Sequence, residues 1–214
     1  MDRSSVMDLR YGPDLRRQIE ENLNTFPHQS LIRDDLRHAA VCLIVVGGCK
    51  EGQLLLTKRS KHLPRHGGQY ALPGGRLDPG ETPEMAALRE LDEEMGLKLD
   101  RQVILGRLDD YATRSGFCIT PIVMWGPANP DLLPDPKEVA EVFHIPLGEL
   151  NRSELPEFHE KNKGESPVLS VNLPTTRGSV YAPTAALLYQ FREVALRGQF
   201  TRVSHFDQPK FAWR

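Results

Sequence analysis

Three glutamates and an arginine lie close together in the stretch GRLDPGETPEMAALRELDEEMGL, residues 75–97. Glu90, Glu93 and Glu94 are three and four residues apart, so on a helix their carboxylates project from one face. Like charges at this spacing destabilise a bare helix by roughly 0.2–0.5 kcal/mol per pair. A divalent cation would reverse that repulsion. The spacing therefore indicates a metal site rather than a solvated helix without a chemical role.

Carboxylate ligands predict a hard cation, Mg²⁺ or Mn²⁺, which binds phosphate oxygens of a substrate at the same time. Such an ion neutralises a diphosphate, lowers the pKa of a bound water and aligns the attacking and leaving groups. Arg89 precedes the three glutamates and stays charged at any physiological pH. Its guanidinium can fork onto a carboxylate and hold it in place.

The glycines before the helix fit the same chemistry. Pro73-Gly74-Gly75 lets the backbone approach a ligand, where one of its carbonyls could complete the metal shell. Pro79-Gly80 makes a turn toward the helix start. Glu81 lies beside that start, where negative charge is favourable without any function. For Glu81 alone, structural support is favoured over metal ligation.

The flanking patterns predict the elements that position this segment. Thr82 as cap, Pro83 at the first position and Gly96 as terminator predict a helix between them. Residues 14–26 read as an amphipathic helix, 39–46 as a strand buried on both faces, and 53–59 as its hairpin partner.

The second half of the chain also alternates between strands and short helical pieces. Within 103–126, two strand-like runs join at a hairpin turn over 114–116, and 138–150 gives a strand and a helical turn. Residues 152–166 are expected to form an exposed loop, 167–173 and 178–182 strands, and 184–196 a closing helix. Because helices fall irregularly among more numerous strands, the pattern favours a mixed α/β layered sandwich over a doubly wound parallel sheet.

Composition excludes several classes of protein. The 214 residues carry 27 Lys and Arg against 29 Asp and Glu, so no global positive field suggests nucleic acid as a partner. The longest apolar run, eight residues over 39–46, falls short of the roughly 18 that a membrane helix needs. Cys42, Cys49 and Cys118 are expected as reduced thiols. With no apolar signal core near the N-terminus, we expect a cytoplasmic protein; a homodimer stays open.

The acidic segment closely resembles a known signature. Gly75, Glu81, Arg89-Glu90-Leu91, Glu93-Glu94 and Gly96-Leu97 match every fixed position of the Nudix box. The resemblance implies a Nudix-type α/β/α sandwich with a mixed sheet and attack of water on a nucleoside diphosphate linked to another group. It implies Glu90, Glu93, Glu94 and Gly75 as metal ligands for Mg²⁺ (or Mn²⁺), with Arg89 orienting them. Glu90 or a later loop glutamate would be the base.

A further glutamate from outside the box often helps in this family. Glu138 and Glu141 stand in the plausible place. Each is also explained as an ordinary polar residue of a strand in which polar and apolar residues alternate.

The preceding stretch, LLTKRSKHLPRHGGQYALPGG over 55–75, resembles the second motif of the coenzyme A pyrophosphatase subgroup. Pro64 and Leu72 depart from that motif. The resemblance implies substrate contacts from Arg59, Ser60, Arg65, Gly74 and Gly75. The basic cluster, which we define as Lys58, Arg59, Lys61, His62, Arg65 and His66, could hold the extra ribose phosphate of coenzyme A, or could be a solvated strand end and loop.

These expectations divide the chain into a helical extension packed on the domain (1–36), a hydrolase domain (37–198) and a tail (199–214). The leading hypothesis is a pyrophosphatase that splits coenzyme A or acyl-CoA into adenosine 3',5'-bisphosphate and (acyl-)phosphopantetheine. The alternatives are the same chemistry on ADP-ribose, dinucleotides or nucleoside triphosphates, and a module that binds a nucleotide without cleaving it.

Overall fold

A computed structural model describes residues 7–64, 66–159 and 167–207. Its centre is β1, Arg37–Gly47, which runs parallel to β7, Phe117–Ala128, and antiparallel to β2, Gly52–Arg59. Residues 42–46 are completely buried. The prediction of a strand that is buried on both faces is therefore confirmed. The prediction that residues 53–59 form its hairpin partner is confirmed by β2.

The remaining strands extend this mixed sheet, which has eight strands among the described residues. β3 and β8 pair with β2, β4 pairs with β1, and β5 and β6 pair with β7. The bounds are β3 Tyr70–Ala71, β4 Gly74–Arg76, β5 Ile104–Arg107, β6 Tyr111–Ala112 and β8 Val139–Pro146.

Helices cover both faces of this sheet. The chain forms α1 Pro13–Thr25, α2 Pro83–Met95, α3 Leu147–Leu150 and α4 Thr184–Phe191. Because side chains alternate along a strand, Cys42 and Ile44 of β1 pack toward α2, whereas Leu43 and Val45 pack toward α1 and α4. The result is the predicted α/β/α sandwich with a mixed sheet.

Two elements differ from expectation in the last third of the chain. Residues 157–159, expected within an exposed loop, form β9, Glu157–His159, which pairs with β10, Val168–Asn172. With β11, Ser179–Tyr181, they make a separate three-stranded sheet. The three side chains of β9 are exposed, so only cross-strand pairing reveals the strand. The closing helix changes after Phe191 into a π-helical turn, Arg192–Leu196.

Two buried aspartates tie the segment after α1 to the sandwich. The backbone N–H of Gln29 donates to Asp109 at 2.7 Å, and that of Leu31 donates to Asp110 at 2.8 Å. Asp109 also accepts from Gln190 of α4 at 2.7 Å and from Arg202. The division into extension, domain and tail stays a prediction. Within the described ranges, no helix is long and apolar enough to cross a bilayer.

Candidate active site

Helix α2 begins and ends as its sequence predicts. Thr82 accepts a hydrogen bond from the backbone N–H of Met85, Pro83 opens the helix, and Gly96 ends it in the left-handed conformation with φ 64°. Leu91 and Met95 are buried against the sheet. This packing fixes the rotation of the helix, so the acidic face is turned toward β4.

Arg89 is the centre of the acidic cluster. Its guanidinium donates to both carboxylate oxygens of Glu81 at 3.0 Å, to Glu90 at 2.8 Å and to Glu93 at 3.0 Å. It also donates to the carbonyl of Arg76 in β4 at 2.9 Å. The hydrogen bonds to Glu81 hold the pKa of Glu81 below its usual range and that of Arg89 above its own. Glu81 thus supports Arg89.

Glu94 is the most buried acid of the cluster, with 3% of its surface exposed. The backbone N–H of Gly74 donates to its carboxylate at 3.1 Å, and Arg59 Nη1 lies 3.9 Å away. Burial raises the pKa of Glu94 to about 8, and the charge of Glu90 adds to that rise. The Gly74 hydrogen bond and the Arg59 charge oppose the rise without cancelling it.

Burial also raises the pKa of Glu90, although its bond to Arg89 acts in the opposite direction. Glu138 precedes β8, and its charge contributes to the raised pKa of both Glu90 and Glu94. Glu141 instead lies within β8, opposite Lys58 of β2. Of the two candidate glutamates outside the box, Glu138 is the one whose charge reaches the cluster.

Two glycines let β4 approach these carboxylates. A Cβ at Gly75 would collide with the carboxylate of Glu90. Gly74 has φ +152°, and a Cβ there would collide with the backbone of Ala40 and Val41. Side chains at these positions would displace Glu90 or force β4 away from β1.

The donor set fits a hard divalent cation by its chemistry. Glu90 is half-buried and Glu94 is buried, and burial raises the pKa of each carboxyl although Arg89 lies beside Glu90 and Arg59 lies near Glu94. No group of three acidic, histidine or cysteine side chains in the described part of the chain converges into a ready-made metal cluster. Glu93, with 60% of its side chain exposed, binds Arg89 instead.

A cavity of about 260 Å³ adjoins the acidic cluster. Arg59, Gly74 and Gly75 line it and also contact or adjoin Glu90 and Glu94. The other lining residues come from elements that are far apart in the sequence, so local sequence patterns do not connect them. These lining residues include Tyr70, Arg76, Phe117, Ile119, Thr184 and Leu187.

The other predicted substrate contacts are placed differently. Ser60 is buried, its N–H donates to the carbonyl of Glu138 at 2.8 Å, and it does not line the cavity. Arg65 lies outside the described residues. Within the basic cluster, Lys61 and His62 are exposed, whereas His66 reaches the cavity.

Comparisons with known proteins show the family to which the chain belongs. The family model described as NUDIX domain matches residues 36–165. Nudix hydrolase 3 of Caenorhabditis elegans is 36% identical over 161 residues, which cover 71% of this chain and 67% of the relative. A protein named uncharacterized Nudix hydrolase NudL, from Photorhabdus laumondii, is 41% identical over 125 residues, 58% of this chain and 66% of the relative.

The chain thus spans about two thirds of the length of the curated relatives it matches. Among solved structures, a MutT/nudix family protein from Enterococcus faecalis superposes with a TM-score of 0.51 at 14% identity. The match covers 86% of this chain and 75% of that protein, and it concerns the fold alone.

Proposed function

This chain belongs to the Nudix hydrolase family, and from that premise we propose that it is a metal-dependent pyrophosphatase of coenzyme A or acyl-CoA. The products would be adenosine 3',5'-bisphosphate and (acyl-)phosphopantetheine. One observation carries the proposal: buried Glu94 and its neighbour Glu90 face the glycines at the mouth of a cavity that Arg59 also lines. Two carboxylates that are largely removed from solvent thereby adjoin a space for an organic group.

The proposed ligands of Mg²⁺ or Mn²⁺ are Glu90, Glu93, Glu94 and the carbonyl of Gly75. When bound, the cation would neutralise the diphosphate and lower the pKa of a water molecule. Arg89 keeps Glu90 and Glu93 aligned through its hydrogen bonds. Arg59, whose buried Nε has no hydrogen-bond partner, is positioned to contact a diphosphate oxygen. Glu90 and Glu138 are the candidates for the base that accepts the proton of water.

The choice of coenzyme A is supported by the motif over 55–75 and by the character of the cavity. Tyr70, Phe117 and Leu187 supply apolar and aromatic walls suited to a nucleotide base or a pantetheine chain.

We also keep the expectation of a cytoplasmic location. It is supported by Cys42, Cys49 and Cys118, which are free thiols. A homodimer remains a separate prediction for sedimentation analysis.

A substrate panel tests the proposal directly. The purified chain is incubated with coenzyme A, acetyl-CoA, ADP-ribose, a diadenosine polyphosphate and nucleoside triphosphates, with Mg²⁺, Mn²⁺ or a chelator. We expect metal-dependent release of adenosine 3',5'-bisphosphate from coenzyme A with the highest kcat/KM, and its loss in Glu94→Gln. Preferred cleavage of ADP-ribose or another nucleotide would reject the substrate. Metal-dependent turnover of any of them would reject the alternative of a binding module.

A further inference from the structure

Two arginines on neighbouring strands share the cavity face of the sheet. Arg76 of β4 is in register with Ala39 of β1, and Arg37 of β1 is in register with Phe117 of β7. Because side chains alternate along strands, residues 37 and 39 project from the same face, and so does Arg76. Ala39 and Phe117 line the cavity. Arg76 itself lines the cavity, and Arg37 projects from the same face of the sheet beside it.

Both guanidinium groups lie against the ring of Phe117. The Cζ atom of Arg37 lies 4.0 Å from the centroid of the Phe117 ring, and that of Arg76 lies 5.3 Å away. Arg37 is fixed further because its Nη2 donates to the carbonyl of Ser115 at 2.7 Å. The ring thus forms a platform for two positioned cations.

Neither cation is neutralised in the described part of the chain. Arg37 and Arg76 form no ion pair there, whereas Arg89 and Arg107 bind carboxylates at 2.8–3.0 Å. Stacking on the ring occupies the flat face of a guanidinium and leaves its N–H edge available. Phosphate monoesters carry nearly two negative charges near neutral pH and accept such forked hydrogen bonds.

We propose that Arg37 and Arg76, stacked on Phe117, bind a phosphomonoester that the substrate carries in addition to its diphosphate. This inference rests on the proposed function, because it concerns the same substrate. Arg76 directly follows Gly75, and its carbonyl binds Arg89 of the acidic cluster. Consecutive strand residues are about 3.3 Å apart. A phosphate on the sugar next to the diphosphate would therefore fall within reach of the arginine pair.

This placement moves the phosphate site away from the basic cluster that the sequence suggested. Arg59 is directed at Glu94, at 3.9 Å. Lys58 lies 5.4 Å from the centroid of the Tyr70 ring and opposite Glu141. Lys61 is exposed and has no ion pair in the described ranges. Lys58, Arg59 and Lys61 thus have separate surroundings, whereas Arg37 and Arg76 both lie against one ring.

Product binding tests the inference without requiring turnover. Calorimetry compares adenosine 3',5'-bisphosphate with 5'-AMP on the full chain, its Arg37→Gln/Arg76→Gln variant and the variants Lys61→Gln and Arg101→Gln. Arg101 is an exposed arginine outside the cavity lining, so it controls for net charge. We expect the bisphosphate to bind at least about tenfold tighter than AMP, as charge-assisted hydrogen bonds allow. The double variant should abolish that preference, and the two single variants should keep it.

Two results would overturn the inference: a wild type that binds both nucleotides equally, or a double variant that keeps the preference. Loss of the preference in Lys61→Gln would also overturn it, in favour of the basic cluster. Thermal melts confirm folding, and an Arg37→Lys/Arg76→Lys variant, which keeps charge but lacks the fork, should show an intermediate preference.

Kinetics then separate this inference from the proposed function. In the double variant, KM for coenzyme A should rise at least about tenfold more than KM for dephospho-coenzyme A, which lacks the phosphomonoester. An equal rise for both would contradict the arginine site. If neither compound is hydrolysed while the preference for the bisphosphate persists and depends on the arginines, the reaction is wrong and the phosphate site stands.

Discussion

At the scale of one residue, Glu94 is a buried carboxylate that we propose as a ligand of the cation. Its side chain is 4% exposed and accepts one backbone hydrogen bond, and Nη1 of Arg59 lies 3.9 Å from its carboxylate. A buried acid with so little compensation is unfavourable as an anion. In the metal-free protein it therefore favours the protonated form, and a divalent cation would take the place of the proton.

Replacing Glu94 or Glu93 by glutamine should lower kcat at least about a hundredfold, because the charge that would clamp the cation in the transition state is lost. Steady-state hydrolysis of the best substrate in the panel measures the effect. Glu84→Gln is a matched control, because it removes one charge from the first turn of the same helix. Wild-type turnover in Glu94→Gln would disprove the assignment of that residue.

The pH dependence of stability gives a second test in the metal-free protein. Burial raises the pKa of Glu94 to about 8, above the ordinary value of 4.5 that the side chain has in an unfolded chain. The folded state therefore keeps a proton that the unfolded chain releases. This contribution to stability is complete below about pH 4.5 and is lost as the pH rises toward 8.

With a chelator present, the wild type should lose on the order of 1–4 kcal/mol of stability between about pH 5 and pH 8.5 relative to Glu94→Gln. The glutamine resembles the protonated acid and does not titrate. Denaturant titrations at both pH values measure the difference. Parallel pH profiles for the two proteins would show that Glu94 titrates normally.

At the scale of elements, α2 and β4 together make the site. The helix was predictable because Thr82, Pro83 and Gly96 mark its ends and Leu91 and Met95 mark its buried face. Its contact with β4 was not predictable in detail, because Arg89 binds the carbonyl of Arg76 across the fold. The parallel pairing of β1 with β7, which sets Phe117 beside the cavity, likewise depends on contacts between residues far apart in sequence.

The two glycines of β4 show which part of the site the sequence did reveal. Pro73-Gly74-Gly75 predicted a close approach of the backbone, and the structure brings Gly75 against Glu90. Ser60 lay in the same motif, yet it is buried outside the cavity. A motif marks residues that belong together, but it does not separate a residue that faces the ligand from one that supports the loop.

Gly75→Ala should reduce kcat at least about tenfold, because the new methyl group would displace the Glu90 carboxylate. Gly12→Ala is the control, since a Cβ there meets nothing within 4 Å and its backbone is extended at φ 168°. Hydrolysis rates and melting temperatures of both variants are compared with the wild type. A fully active Gly75→Ala enzyme would mean that catalysis does not depend on the position of the Glu90 carboxylate.

At the scale of the whole molecule, Asp109 joins three distant parts of the chain. It accepts hydrogen bonds from Gln29 after α1, from Gln190 in α4 and from Arg202 near the end of the described residues. Its side chain is 6% exposed. The segment after α1 is thereby integrated with the sandwich rather than attached loosely.

Asp109→Ala should destabilise the protein by about 3 kcal/mol, because it leaves buried donors and the charge of Arg202 without their partner. For a chain of this size the melting temperature should fall by about 6–12 °C. Calorimetry measures the shift. Asp14→Asn, which removes the exposed pair with Arg17, should change it by only about 1–2 °C. Similar shifts in both variants would contradict a structural role for Asp109.

The hydrogen bonds of Arg89 have a consequence for the proposed metal site when no cation is bound. Glu81, Glu90 and Glu93 share one guanidinium, so their mutual repulsion is already relieved before any ion arrives. If Glu90 and Glu93 bind a cation as we propose, removing it would return both side chains to Arg89 and leave α2 intact. On that proposal the cation can be lost and regained without unfolding of the helix.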